Sequence, residues 1–383
     1  MKKYNKNIKA LSLFASGGMA ETYFEELGIE VVLANELIKD RCKFYNHLYP
    51  NTEMIQGDIT QSDIRDEIIS KAKEYGVNFI IATPPCQGMS VAGKNSPYDP
   101  RNQLITYAIE IINEIKPDLI LLENVPQQLR TKIYYKDELI LVPDYIKYNL
   151  GEKYNYNNES IIRCMDHQIP QMRKRNIFLF TKKTLDISWE YPEIDDKQIT
   201  IRDAIGELPS IDPFIREGLD ITLKIFPDFE KKKEIGLALS KFHAPPIHSL
   251  NHVTWMMHTP SGTTAFDNKI YFPKKKDGVR INGHFNTYRR HAWDKPSRSI
   301  TQNNGVISSL ACVHPGRLIN DSDNEKLRIY SDPRCFTLYE LFIISSLPTD
   351  WNIPEWAKDN QVRKIIGEGI PPLLIKKIIK EII

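Results

Sequence analysis

IKALSLFASGGMAETYFEELGIEVVLANE, residues 8–36, decides how this chain folds. It opens with an apolar run, Ile8–Ala15, that turns at Ser16-Gly17-Gly18 into a short helix ending at Leu27. A second apolar run, Ile29–Ala34, closes on Asn35-Glu36. Strand, turn, helix, strand is the unit that sets two strands parallel, because a crossover must carry the chain back to the same end of the sheet. The pattern repeats outward. Met54–Ile55 leads to Gly57-Asp58, a capped helix is expected over Ser62–Tyr75, and Phe79–Ala82 makes a fourth strand. Arg101–Ile115 reads as a helix and Leu119–Leu122 as a fifth strand, ending in Glu123-Asn124. Continuous apolar strands separated by helices predict an α/β fold, a Rossmann-like doubly wound sheet covered on both faces.

In such sheets ligands bind beyond the carboxyl ends of the strands. Those ends gather Ser16-Gly17-Gly18, Glu36, Asp58, Cys86 and Glu123 into one expected site. The glycine turn lets backbone approach a ligand, Glu36 can accept from ribose hydroxyls, and Asp58 can accept from an adenine amino group. The G-x-G-x-x-G dinucleotide fingerprint is absent, which argues against an NAD enzyme. Buried cysteines are usually small inert hydrophobes, and Cys42, Cys164 and Cys312 read that way. Cys86, in IIATPPCQGMS (80–90), stands instead at a strand exit in a loop with Gly and Ser. A thiolate there is a strong nucleophile if a proton acceptor is near. Glu123, at the neighbouring strand end, is the natural partner; a helix cap or ion pair is its plainer reading. In DHQIPQMRKRNIFLF (166–180), Arg173 and Arg175 alternate ahead of strand Ile177–Phe180, which puts both on one face. They suit a protected edge strand, or two guanidiniums that contact a carbonyl oxygen and orient Glu123.

The 383 residues, 41% hydrophobic and 26% charged, form an ordinary globular mix with room for two domains. The apolar runs are strand-sized, too short to span a membrane, and the N-terminal one reads as a first strand rather than a signal peptide. Five scattered cysteines imply neither a disulfide framework nor a zinc site, and a cytoplasmic location is expected. Net charge is only +2, yet nine Lys/Arg against two Asp lie between Lys269 and Arg298, as on a solvated face or a phosphate-binding surface. From about residue 200 prolines and histidines multiply and helical periodicity fades. The expected organisation is a catalytic and cofactor-binding domain over 1–200, a smaller irregular strand-and-loop domain over 201–355, and a C-terminal segment, 356–383, returning to the first. A helix is expected over Leu338–Leu347 and another at the C-terminus.

The ordered motifs resemble the cytosine-5 DNA methyltransferases of the bacterial restriction-modification type. LFASGGMAETYFEELGI is similar to that family's cofactor turn, ANEL to its ribose acid and GDI to its adenine acid. PPCQGMS resembles the nucleophile loop, with YDPRNQL after it, LLENV the Glu-Asn-Val motif and QMRKR the Gln-x-Arg-x-Arg motif. RDAIGELP resembles the lead into the target-recognition domain, YRRHAWDKPSRSIT the strand beyond it, PRCFTLYELFIISSLP the next helix and IGEGIPP the closing cofactor motif. Most of the chain is covered, excepting roughly 210 to 285. Any one motif is weakly specific, but this many in order is strongly so.

The resemblance implies the S-adenosylmethionine-dependent methyltransferase fold with a target-recognition domain, and methyl transfer to carbon 5 of a flipped cytosine in double-stranded DNA. It implies a Cys86 adduct at carbon 6, Glu123 on ring nitrogen 3, Arg175 on the base carbonyl, Arg173 supporting Glu123 and Asn124 positioning the loop. S-adenosylmethionine would lie against Phe14, Gly17, Gly18, Glu36, Asp58, Ile59, Pro84, Leu104 and Gly367. DNA would meet Gln87, Ser90, Arg101, Thr263, Thr264 and Arg290. A monomer is expected, functionally paired with a restriction endonuclease. Two residues depart from the family: Ser16 replaces the first glycine of the cofactor turn, and Glu368 the usual Asn of the closing motif. One rival is a tRNA cytosine methylase, whose Cys-Phe-Thr motif has a match at Cys335-Phe336-Thr337; its place after the late strand marks that match as coincidence. A catalytically silent DNA-binding regulator is the rival of another class.

Overall fold

The computed structural model describes residues 3–85, 99–157, 160–310, 312–320 and 328–383, built around one mixed sheet. Its first half alternates as the apolar runs require: β1 (Ile8–Leu13), β2 (Ile29–Glu36), α1 (Lys39–Leu48), β3 (Glu53–Gln56), α2 (Ser62–Tyr75), β4 (Phe79–Ala82), α3 (Leu104–Ile115) and β5 (Leu119–Asn124). A hairpin of β6 (Lys132–Tyr135) and β7 (Glu138–Leu141), then α4 (Val142–Leu150), lead to β8 (Tyr154–Asn157), β9 (Ile161–Arg163) and β10 (Lys174–Lys182). The order is β3-β2-β1-β4-β5-β10-β8, with β9 also on β10. The first five strands run parallel, while β10 is antiparallel to its neighbours. Strand order reverses between β1 and β4, the switch point outside whose carboxyl ends such sheets bind their ligands.

Every residue of β4 and β5 is buried, because helices cover both faces. Ile80, Ile120 and Leu122 face α2, α3 and α4; α3 meets them with the stripe Ile105, Ala108, Ile109 and Ile112. Ile81, Leu119, Leu121, Ile177 and Leu179 face the other way, onto Leu374, Ile375, Ile378 and Ile379 of the C-terminal helix, residues 372–380. The helix expected to reach Leu27 shrinks to a 3-10 turn at Glu25–Leu27. The one expected from Arg101 begins as a 3-10 turn, Pro100–Gln103, capped by the Asp99 carboxylate.

Beyond residue 200 the sequence understated the helices. α5 (Ile201–Ile205), α6 (Leu219–Ile225), α7 (Phe229–Leu239) and α8 (Leu250–Met257) are present, with β11 (Phe214–Ile215) parallel to β12 (Ile247–His248). α6, α7 and α8 are short, and their apolar stripes meet in a small core around Ile215, Phe226, Phe229 and Val253. The described residues from 258 to 317 hold one 3-10 turn and are otherwise stitched by isolated bridges, ahead of the small β13 (Leu318–Asn320)–β14 (Ile329–Tyr330) ladder. α9 (Leu338–Ile344) ends before the expected Leu347, with Ser346 left-handed at φ 57°. With α10 (Asp359–Glu368), α5, Met19 and Phe44 it forms a cluster reaching across residues 200 and 355. The terminal helix is α11 (Pro372–Lys380).

A buried ionic hub anchors α9. The Arg334 guanidinium donates to both Glu340 oxygens at 2.8 and 2.9 Å, to Asp332 at 2.9 Å and to the Ile211 carbonyl at 2.7 Å. Burial pushes the Glu340 carboxyl up, but Arg334, with His314 and His243 beside it, more than offsets this and leaves it at about 2. Arg334→Met strands two buried carboxylates, so urea unfolding should show a loss of about 3–5 kcal/mol; a loss below about 1 kcal/mol, the size of an exposed pair, would sink this account.

Candidate active site

The antiparallel register of β10 against β5 sets Ile177 opposite Glu123 and Asn176 opposite Asn124. Alternation then gives Arg175 the face that Glu123 occupies. Arg175 Nε lies 2.6 Å from Glu123 Oε1, with both side chains about one-tenth exposed. Arg175 Nη1 also donates to the Lys174 carbonyl at 2.8 Å. Burial raises the Glu123 carboxyl above its ordinary value, and Arg175, then Arg173, only partly hold it back. The site thus contains a carboxyl that is paired and yet inclined to keep a proton.

Asn124 turns the other way. Its Nδ2 donates to the Pro84 carbonyl at 3.1 Å and its Oδ1 accepts from Val125 N at 2.8 Å. This tether crosses from β5 to the chain that leads to Cys86. Cys86, Gln87 and Ser90 lie outside the described residues. Arg173 donates to the carbonyls of Ile300 (2.9 Å), Gly367 (3.1 Å) and Glu368 (2.8 Å), so it acts on Glu123 through charge while stitching the C-terminal segment to β10.

Across the switch point stands the glycine turn. Phe14, Ser16 and Gly18 are left-handed, at φ 59°, 49° and 76°. Glu36 holds the turn from the end of β2: one carboxylate oxygen accepts from Ser16 N at 2.9 Å, the other from Ile38 N at 2.8 Å. A Cβ on Gly17 would sit 2.7 Å from Ile365 of α10, and one on Gly18 2.2 Å from the Tyr49 ring. The Tyr49 hydroxyl donates to the Gly18 carbonyl at 2.5 Å. Asp58 Oδ1 accepts from Thr60 N at 2.9 Å, beside buried Ile59. Pro84 is buried, Leu104 packs at the head of α3, and a Cβ on Gly367 would meet the Thr301 carbonyl at 2.3 Å. The buried Ser16 hydroxyl has no hydrogen-bond partner among the described residues. An unfilled hydroxyl in a left-handed turn, with Glu36 and Asp58 at the next two strand ends, fits a polar nucleoside ligand such as S-adenosylmethionine.

Two polar groups behind the turn escaped sequence reading. Buried Glu21 accepts from Ser12 Oγ, and burial lifts its carboxyl to about 7. Tyr49 is fixed only by the fold. Glu21 lies within the cofactor-turn stretch and Tyr49 caps the end of α1, but a Glu inside a helix-like stretch and a Tyr at a helix end carry no local signal of such a role.

On the expected DNA side two assignments fail. Arg290 is buried, its guanidinium donating to the carbonyls of Met256 (2.9 and 3.2 Å), His314 (2.8 Å), Ser331 (2.9 Å) and Asp332 (3.0 Å). It ties the end of α8 to the irregular chain at His314 and to the residues after β14; the basic run around it hid an inward-facing position. Thr264 is also buried, donating to the Thr287 carbonyl and capping the turn at Ala265–Asp267. Thr263 is half-buried, with Oγ1 on the Pro260 carbonyl at 2.8 Å, and Arg101 is exposed in a pair with Asp99 at 2.6 Å. Lys269, Lys274, Lys275, Lys276, Arg280 and Lys295 are exposed. Cys335, of the Cys-Phe-Thr match, is buried with its sulfur 3.5 Å from that of Cys312. No helix among the described residues is long and apolar enough to cross a membrane.

The whole chain can be set beside known proteins. It is 39% identical over 382 residues to the Type II methyltransferase M1.HgaI of Avibacterium volantium, covering 98% of each. It is 24% identical to the Type II methyltransferase M1.HphI of Haemophilus parahaemolyticus, over 99% of this chain and 88% of that one. The fold matches the Entamoeba histolytica methyltransferase EhMeth (TM-score 0.59, 15% identity, 99% of this chain and 98% of that one). It also matches Spodoptera frugiperda DNMT2 (TM-score 0.56, 19% identity, 98% and 99%). The sequence model of the C-5 cytosine-specific DNA methylases matches residues 8–383, a span that takes in the glycine turn, the Glu123–Arg175 pair and α11 alike. On that match, which runs through every element of the site, the chain belongs to the C-5 cytosine-specific DNA methylase family.

Proposed function

We propose that this enzyme is the modification methyltransferase of a Type II restriction-modification system, methylating carbon 5 of a cytosine within a specific double-stranded DNA sequence through a Cys86 adduct. The observation that carries the reading is the buried Glu123–Arg175 pair beside Asn124, which tethers Pro84 ahead of Cys86. A duplex hides carbon 6 of cytosine within the base stack, so the target must flip into the crevice. The Cys86 thiolate then forms a bond to carbon 6 as the C5–C6 π pair shifts to C4–C5 and the C4–N3 π pair moves onto nitrogen 3. Glu123 gives a proton or hydrogen bond to nitrogen 3, and Arg175 holds the carbonyl. Carbon 5, made nucleophilic, takes up the methyl group; S-adenosylmethionine, when bound, supplies that group in electrophilic form. Loss of the carbon 5 proton to a base restores the π bond and expels the thiolate. Covalent addition divides one hard step into easier ones. Gly17, Gly18, Glu36 and Asp58 would hold the cofactor, with Phe14, Ile59, Pro84, Leu104 and Gly367 around it.

Residues 201–355 would supply target reading, with the exposed lysines between Lys269 and Lys295 on phosphates and Thr263 near a base edge. The protein would act as a cytoplasmic monomer that protects host DNA from a partner endonuclease. The test is nucleoside mass spectrometry after incubation with S-adenosylmethionine and either unmethylated plasmid or tRNA. 5-Methylcytosine in the plasmid supports the reading; methylation of tRNA alone removes DNA as the substrate.

Tyr49 offers a finer check on the cofactor seat. Tyr49→Phe keeps the ring under Gly18 but loses the bond to its carbonyl. A net hydrogen bond is worth about 1 kcal/mol, so the calorimetric Kd for S-adenosylmethionine should rise about fivefold. An unchanged Kd would mean that the phenol does not hold the turn.

A further inference from the structure

We propose that Arg41 and Glu368 form a clamp that positions the closing helix over the cofactor seat, a role that rests on the S-adenosylmethionine reading above. Arg41 lies in the first turn of α1, reached from Glu36 through Ile38, and Glu368 ends α10. Arg41 Nη2 stands 2.6 Å from Glu368 Oε1 and 2.5 Å from Oε2. The two side chains are only 25% and 20% exposed. Gln361, at the other end of α10, donates to Asp40 of α1 at 3.3 Å, so the helices are tied twice.

What this pair closes is visible in the packing. Ile365 fills the space over Gly17, and Gly369 accommodates Met19 at a distance that no side chain would allow. α10 therefore roofs the left-handed turn that Glu36 holds from below. Burial raises the Glu368 carboxyl, Arg41 only partly holds it back, and the Glu36 charge adds to the rise. Arg41 is the cation that lets an acid occupy the position where the family usually has Asn, a neutral amide that needs no counter-charge. On its inner side, the Glu368 carbonyl accepts from Arg173 at 2.8 Å, and Arg173 in turn acts on Glu123. The end of α10 is thus held between the cofactor seat and the catalytic carboxyl.

Arg41 and Glu368 are positioning residues, and their signature is coupling in cofactor affinity. The test is a double-mutant cycle read by calorimetric binding of S-adenosylmethionine to the full chain without DNA, with thermal melting recorded alongside. Arg41→Ala and Glu368→Ala should each weaken binding about tenfold, and the double variant by about the same factor rather than about a hundredfold. The charge swap Arg41→Glu with Glu368→Arg should return affinity to within about threefold of the native chain. Additive losses, or variants that lower the melting temperature and leave Kd alone, would overturn the clamp. Glu36→Gln separates it from the reading beneath it. If that variant loses binding while the clamp variants retain it, the clamp is wrong and the seat stands. A native chain that binds no S-adenosylmethionine overturns both.

Discussion

Cys86→Ala is expected to lower methyl transfer by on the order of 10⁴-fold or more, the scale seen when a nucleophile is removed from an otherwise intact site. The reason lies in the substrate. Carbon 5 of cytosine is too poor a nucleophile to take a methyl group until something adds at carbon 6, and Cys86 is the thiol that the sequence sets at a strand exit. Cys86→Ser tests this further: a hydroxyl in that place is almost never ionised near neutral pH, so it should recover little of the lost rate. Binding should separate from chemistry, with Kd for S-adenosylmethionine within a few-fold of native, because Glu36 and the glycine turn stand on β1 and β2. Asn124→Ala makes the contrast. It removes the tether to the Pro84 carbonyl and the acceptor for Val125 N, both of which position backbone rather than react, so its rate should fall by about ten- to a hundredfold, the size of a positioning error. Single-turnover methylation of a plasmid carrying the mapped site measures all three. Retained turnover in Cys86→Ala would exclude the covalent route.

The parts of this molecule that could be read from sequence are those whose signal is local. β4 and α2 coincide with their expected bounds because a continuous apolar run and a helix ending at Gly76 are complete within their own residues. Arg175 and Glu123 were foreseeable as neighbours, since strand ends and alternation are local rules and the register of β10 on β5 does the rest. What stayed hidden depends on distant partners. Arg290 and Lys274 look alike in a basic run, yet one is sealed among four backbone carbonyls from three segments and the other faces water. The short helices α6 to α8 cover a small core that no longer-range periodicity announces. Tyr49, Glu21 and the Arg41–Glu368 pair gain meaning only once the closing helix lies over the first turn. Foldability requires local consistency, whereas a functional site collects exceptions that are justified in three dimensions.

Glu123→Gln should lower kcat by about 10²- to 10⁴-fold, the range in which a positioned proton donor contributes. Glutamine keeps the shape and can still accept from Arg175 Nε, but its amide cannot pass a proton to ring nitrogen 3. Shape retained and rate lost would therefore assign a proton, not packing, to this residue. The pH profile is the sharper measurement. Burial raises the Glu123 carboxyl, and the two arginines only partly counter it, so the active protonated form persists toward neutral pH and disappears as pH rises through the raised value. Native kcat should therefore fall on the alkaline side, while the residual rate of Glu123→Gln should lack that limb. Stability must follow the same proton. A group whose folded pKa is raised contributes stability below its unfolded value and loses it as pH climbs through the folded one. The native melting temperature should decline over that window, and Glu123→Gln should flatten this part of the curve. If kcat and melting temperature move at different pH values, two groups are titrating, and the assignment of the proton to Glu123 fails.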